Sequence, residues 1–255
     1  MIRVLKYVAL DILKNKIIIA YAVILALFSW STFSLEDNAD KGILSLLSII
    51  LMTVPLMSVL FSTIYIYNSS EFIELLASHP VKRSAIWKAI FAGLAGSLVL
   101  AFLFGVGLPL LLFAGTGTAL IMIAAGSLLS VIFLSLAFLS NMLTRDKARG
   151  IGIALMLWLY FVLLFDGIVL FLFFQFSEYP VEKPAVILSG LNPVDLCRIL
   201  ILLRLDVSAM MGYTGAVFKQ SFGTSWGLMI SFLLLGLWVI IPFLISLVRF
   251  KRKDL

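Results

Sequence analysis

The sequence predicts an all-α, polytopic membrane protein with six transmembrane helices, an N-terminal amphipathic interfacial helix and an external helical segment between spans five and six. Of its 255 residues, 63% are hydrophobic, and the mean hydropathy is +1.17, well above that of a soluble domain. Six stretches are long and apolar enough to cross the hydrocarbon as helices. Period-two alternation, the pattern of barrel strands, is absent from all six. We therefore treat residues 1–255 as a single transmembrane domain.

The six apolar stretches define the order of the chain. The first is marginal in length, and no small-residue cleavage site follows it, so we interpret it as a retained span and not as a signal peptide. Pro55 in span two and Pro109 in span three each remove a backbone donor, and we expect each to bend its helix. The predicted spans are 17–33, 43–67, 89–113, 119–143, 150–174 and 224–248.

The distribution of basic residues predicts the orientation. Fourteen of the nineteen Lys and Arg residues flank the two termini and the loops 68–88 and 144–149. The positive-inside rule therefore places both termini and these loops in the cytoplasm. Topology and anionic lipid head groups explain the basic balance, which gives no reason to invoke nucleic acid. The other five basic residues are Lys41, Lys183, Arg198, Arg204 and Lys219.

Residues 2–16, which precede the first span, have the pattern of an amphipathic helix. Ile2, Leu5 and Ile12 fall on one face, and Arg3 and Lys6 fall on another. We expect this helix to lie along the inner surface of the membrane. A plain basic flank that fixes the orientation of the chain is the alternative interpretation.

The loop 68–88 is the sizeable polar segment between two spans on the basic side. After a polar start at Asn68, a short helix is expected, with an apolar stripe at i, i+3 and i+4 and with acidic residues turned away from it. A proline then ends that helix, and basic residues lead back to the bilayer. A solvated loop that only separates two spans would also fit. The stripe is Phe72, Leu75 and Leu76; the other residues of this pattern are Glu71, Glu74, Pro80, Arg83 and Lys88.

Asp166 is the only carboxylate inside a predicted span. An Asp at the centre of a membrane helix costs about 2.5–3.5 kcal/mol on insertion scales, so such residues usually face the bundle interior or a wet cavity. Asp166 lies eight residues before Phe174, the last residue of span five, so it is about 12 Å from the outer end of that span. It is therefore a candidate intramembrane polar site, or a residue that snorkels or bonds a neighbouring helix.

The external region 175–223 is the longest segment between two spans. Within it, Asn192 and Pro193 form a strong helix start, with Asp195 in the first turn and Arg198 on the same face as Asp195. Apolar residues occupy the opposite face. We expect this helix to lie in the outer interface or to dip into it.

The helix, proline and basic return between spans two and three resemble the cytoplasmic coupling region of ABC-2 type transporter permeases. Asn192, Pro193, Asp195 and Arg198 sharpen that resemblance towards the permeases that serve copper-site maturation of nitrous oxide reductase. The resemblance implies a complex of two copies of this chain, two cytoplasmic ABC ATPase subunits and a periplasmic β-helical protein. It also implies that the pattern residues of 71–88 contact the ATPase and that the four external residues contact the periplasmic partner.

The sequence contains no Gly-rich phosphate loop with Lys and Ser or Thr, so ATP and Mg²⁺ are expected on the partner ATPase and no cofactor on this chain. One Cys and one His are too few for a metal cluster and make a catalytic dyad improbable. We therefore predict a transport subunit without catalytic or metal residues. An ion-coupled carrier or channel that uses Asp166 is the alternative; an intramembrane enzyme lacks the paired groups that its chemistry requires.

Overall fold

The structure, a computed structural model, describes residues 11–12, 15–36, 39–78, 81–176, 188–204 and 225–252. Every regular element within these ranges is a helix. Six of the helices, all except α3 and α7, are long and apolar enough to cross a membrane, which confirms the predicted class. The helices are α1 Lys16–Leu35, α2 Ala39–Asn68, α3 Ser70–Ser78, α4 Arg83–Phe113, α5 Thr116–Asn141, α6 Lys147–Gln175, α7 Pro193–Arg204 and α8 Ser225–Arg252.

The boundaries differ from the predicted spans mainly at the start of α4. That helix begins at Arg83, so Lys88 lies inside its second turn and not in the preceding loop.

Almost all of the predicted interfacial helix 2–16 lies outside the described residues. Its described part contacts the bundle: Ile12 is buried, and the Tyr65 hydroxyl of α2 donates to the Asp11 carboxylate at 3.3 Å.

The central helix of the bundle is α5, which contacts α2, α4, α7 and α8. Its burial reflects small and apolar side chains that allow neighbours on several sides. A Cβ at Gly126, for example, would overlap the ring of Phe102 on α4. At one end of the bundle, Trp87 of α4 stacks on Phe250 of α8 with ring centroids 4.3 Å apart, and its indole N–H donates to the Ser246 hydroxyl at 3.1 Å. These contacts hold α4, α5 and α8 together.

Two of the spanning helices contain π-helical turns. In α4 the turn Leu103–Gly107 ends two residues before Pro109, and it is also where α1 crosses closely, since a Cβ at Gly105 would overlap Leu25. In α6 the turn is Tyr160–Leu164. A π turn leaves a backbone carbonyl without its regular helical donor, so it is a place where another element can bond.

Candidate functional site

The predicted coupling helix is α3, Ser70–Ser78, which follows α2 almost without a break. Ile73 is its buried side chain, and Leu76 is half-buried and packs against the core. Phe72 and Leu75 are 37% and 58% exposed. Two large apolar side chains therefore lie at the surface of a short helix, beside the exposed carboxylates of Glu71 and Glu74.

The return to the membrane is described from residue 81 onward, and Pro80 lies outside the described residues. Arg83 is the first residue of α4, and Lys88 is exposed on its second turn. Both basic side chains are thus carried by the helix that also carries the buried Trp87. A load applied to this segment would act directly on α4.

The C-terminal end of α2 is bonded to the first residue of α6 and to the segment before it by two hydrogen bonds across a long sequence separation. The Tyr67 hydroxyl donates to the carbonyl of Thr144 at 3.0 Å, and the Lys147 ammonium donates to the Asn68 side-chain oxygen at 2.8 Å. The two helices approach closely, because a Cβ at Gly150 would overlap the Tyr67 ring. Since α3 begins two residues after Asn68, these two bonds lie next to the start of α3.

The side chain of Asn192, the residue before α7, has two partners. Its side-chain oxygen accepts from the backbone N–H of Val194 at 3.0 Å, so it caps α7. Its amide donates to the carbonyl of Phe161 at 2.9 Å, within the π turn of α6. Asn192 is fully buried, so these bonds satisfy polar atoms that water cannot reach. Pro193 then supplies the first residue of α7.

The structure brings Asp166 and the external charges into one cluster. A single guanidinium nitrogen of Arg198, Nη1, lies 2.8 Å from Asp166 Oδ2 and 3.1 Å from Asp195 Oδ1. The side chains of Arg198 and Asp166 are 39% and 29% exposed. Burial, reinforced by the nearby charge of Asp166, raises the pKa of Asp195 to about 7. The intramembrane carboxylate is therefore an ion-pair partner of α7.

A family model described as ABC-2 family transporter protein matches residues 3–255. The chain belongs to the ABC-2 transporter family. It is the multi-pass permease subunit of an ABC transporter, in which ATP is hydrolysed by separate subunits.

Two curated relatives are named as probable ABC transporter permease protein NosY. The one from Pseudomonas aeruginosa is 30% identical over 225 residues, which cover 79% of this chain and 81% of the relative. The one from Stutzerimonas stutzeri is 29% identical over 228 residues, covering 83% and 80%.

Some residues that contact Asn192 and the segment around it in this ABC-2 permease carry no recognisable pattern in the sequence. Phe161 takes part through its backbone carbonyl, and Trp238 of α8 donates its indole N–H to the carbonyl of Gly190 at 3.3 Å. The sequence did contain an indication that Asp166 pairs with Arg198. A lone carboxylate in span five and a basic residue on the membrane-dipping helix after it are complementary charges, and each needs compensation.

Proposed function

We propose that this chain is the membrane-spanning subunit of an ATP-driven ABC-2 complex in the bacterial inner membrane, with both termini cytoplasmic. Separate ATPase subunits bind ATP and Mg²⁺ and dock on α3 and on the first turns of α4. Their motion drives export or a conformational change in a periplasmic β-helical protein seated on the external region. The complex serves maturation of the copper site of nitrous oxide reductase, in line with the sequence resemblance and with the NosY name of both relatives.

The observation that carries this proposal is that α6 is attached near its first turn and again from its middle onward. Near its first turn, α6 is bonded to the end of α2, where the coupling helix begins. Farther along, its π turn and Asp166 bond Asn192 and Arg198 of the external segment. A displacement of α3 would therefore reach α7 through one continuous helix, with the π turn as a place that can repack. This arrangement fits a subunit that transmits force rather than one that hydrolyses ATP.

A second copy of the chain completes the proposed membrane core. Both α1 and α6 present long apolar faces, and they include Leu27 on α1 and Leu163 and Leu170 on α6, each at least half exposed. Asp166 lies about 14 Å before the end of α6 at Gln175, and its partly exposed ion pair requires water or protein beside it and not lipid tails. An interface between two copies would supply that environment. Lipids cover the remaining apolar surface.

Copurification of the ATPase from membranes, with a tag on this chain, tests the docking surface. Leu75→Glu adds a charge at the exposed apolar position of α3, and we expect the ATPase to be lost while the permease stays folded. Ser70→Glu adds the same charge on another face of the same helix and is the matched control. ATPase retention by Leu75→Glu at the level of the control would contradict the proposal.

An ion-coupled carrier that works through Asp166 remains the second candidate. The geometry favours it less, because the charge of Asp166 already has a partner in Arg198. Asp166→Asn distinguishes the two functions: the amide retains an oxygen that can accept from Arg198, so an ABC-2 permease should keep most of its activity. Complete loss of activity in an assembled complex would favour the carrier.

A further inference from the structure

A basic groove lies at the end of the bundle that carries the last turn of α8. It is formed by the segment that connects α5 to α6 and by the end of α8, and it encloses a volume of about 460 Å³. Arg145 lines it from the connecting segment, and Arg249 and Arg252, three residues apart, line it from α8. Its size is within the range of roughly 300–1,000 Å³ that is usual for ligand clefts.

The charged side chains among the described residues that line the groove are all basic. Among the described residues that line it there is no carboxylate. Asp146, which follows Arg145 in the sequence, instead accepts from the backbone N–H of Arg149 and caps α6. Three arginines that line one cleft favour a ligand with a phosphate, because guanidinium groups can bind phosphate through paired hydrogen bonds.

The groove also has an apolar side that continues along the membrane surface of α8. Leu143 and Val248, which line the groove, are 54% and 48% exposed. Ile241, Leu244 and Ile245 precede Val248 on α8, are also exposed, and extend the apolar strip away from the arginines into the span. A ligand that fits both parts has an anionic head and hydrocarbon chains. A protein surface or a free anion would fit only the basic part.

We propose that this groove binds one anionic phospholipid, with its phosphate on Arg145, Arg249 and Arg252 and its chains along Val248 and the strip above it. The proposal goes beyond the ABC-2 function, since it needs neither the ATPase nor a transported solute. Basic pockets at the ends of membrane helices bind lipid head groups in this way. Each arginine near an anionic head group raises affinity about fivefold, so two contribute about 25-fold.

The test measures the binding of fluorescent phosphatidylglycerol and phosphatidylcholine to the purified full chain in neutral detergent micelles. We expect the wild type to prefer phosphatidylglycerol and Arg249→Gln/Arg252→Gln to lose about 25-fold of that preference. The control Arg149→Gln/Lys251→Gln removes two exposed charges from the same end of the bundle but outside the groove, and it should keep the preference. Gel filtration and the thermal unfolding midpoint check that each variant is folded.

Arg145→Gln provides a second test from the other wall of the groove, with an expected loss of about fivefold. Equal phosphatidylglycerol affinity in the wild type and the groove variants would overturn the proposal. So would a fall in the control equal to that in the groove variant. Displacement of the lipid by an equal concentration of inorganic phosphate would show a free-anion site instead. Loss of the copurifying ATPase with unchanged lipid affinity would show a protein contact instead.

Discussion

At the residue scale, the Arg198 guanidinium decides the electrostatics of the cluster that it forms with Asp166 and Asp195. It faces two carboxylates through one nitrogen, so the three ionised groups would carry a net negative charge. Asp195 is the more buried carboxylate, with 14% of its side chain exposed compared with 29% for Asp166. Burial therefore favours placing the compensating proton on Asp195, which agrees with its raised pKa.

The raised pKa of Asp195 predicts a pH dependence of stability. A carboxyl group whose pKa is 3.8 unfolded and about 7 folded binds its proton more tightly in the folded state. Its contribution is therefore fully present below pH 3.8 and is lost as the pH rises through about 7. We expect the thermal unfolding midpoint of the wild type to fall from pH 5.5 to pH 8 more than that of Asp195→Asn, which cannot ionise. Parallel pH profiles of the two proteins would contradict this assignment.

At the element scale, the fastening of α2 to α6 depends on a glycine. Gly150→Ala would push the Tyr67 ring away and weaken its bond to Thr144, so we expect a loss of about 1–3 kcal/mol in the free energy of unfolding. Gly152→Ala is the matched control, since a Cβ there has nothing within 4 Å. Alanine favours the helix over glycine by about 1 kcal/mol, so the control should be neutral or more stable. Denaturation in detergent measures both, and equal stability of the two variants would contradict the close approach.

The sequence predicted the elements better than their contacts. Hydropathy and length predicted the six spans, since each crossing requires its own apolar run, and the polar start and spacing of α3 predicted a helix there. Spacing alone could not separate Leu76, half-buried against the core, from the exposed Leu75, because the position of neighbouring helices decides which side of α3 is covered. Gly150 and Gly152 likewise look alike in the sequence, yet only Gly150 faces a ring.

The residues at the start of α7 show the same limit. Asn192 and Pro193 were predicted as a helix start, and they form one. The bond from Asn192 to Phe161 was not predictable, because it depends on a π turn that no local residue pattern specifies. The role of the cluster in contacting an external partner stays a prediction, and the remainder of the region, 177–187 and 205–224, lies outside the described residues.

At the scale of the whole molecule, the proposed function depends on two surfaces of the chain, which α6 connects. One surface is α3 with the first turns of α4; the other is α7 with its ion pairs. The helix α7 is seated in the bundle, since Leu200 and Ile201 are buried and the Cys197 thiol lies 3.6 Å from the carbonyl of Ala125 on α5. A signal that reaches α7 would therefore shift it against α5, and such a shift would change the environment of Cys197.

Cys197 is the only cysteine of the chain, so it reports on that shift without an added label site. It is 1% exposed, and burial raises the pKa of its thiol, so in the resting complex it should react slowly with a small maleimide. We expect ATP turnover in the assembled complex to speed the reaction severalfold, and Leu75→Glu to abolish that increase while leaving the resting rate unchanged. Ser70→Glu should behave as the wild type, and Cys197→Ala should remove the permease signal. A labelling rate that is the same with and without ATP would show that α7 stays in place, and force transmission through α6 would then be wrong.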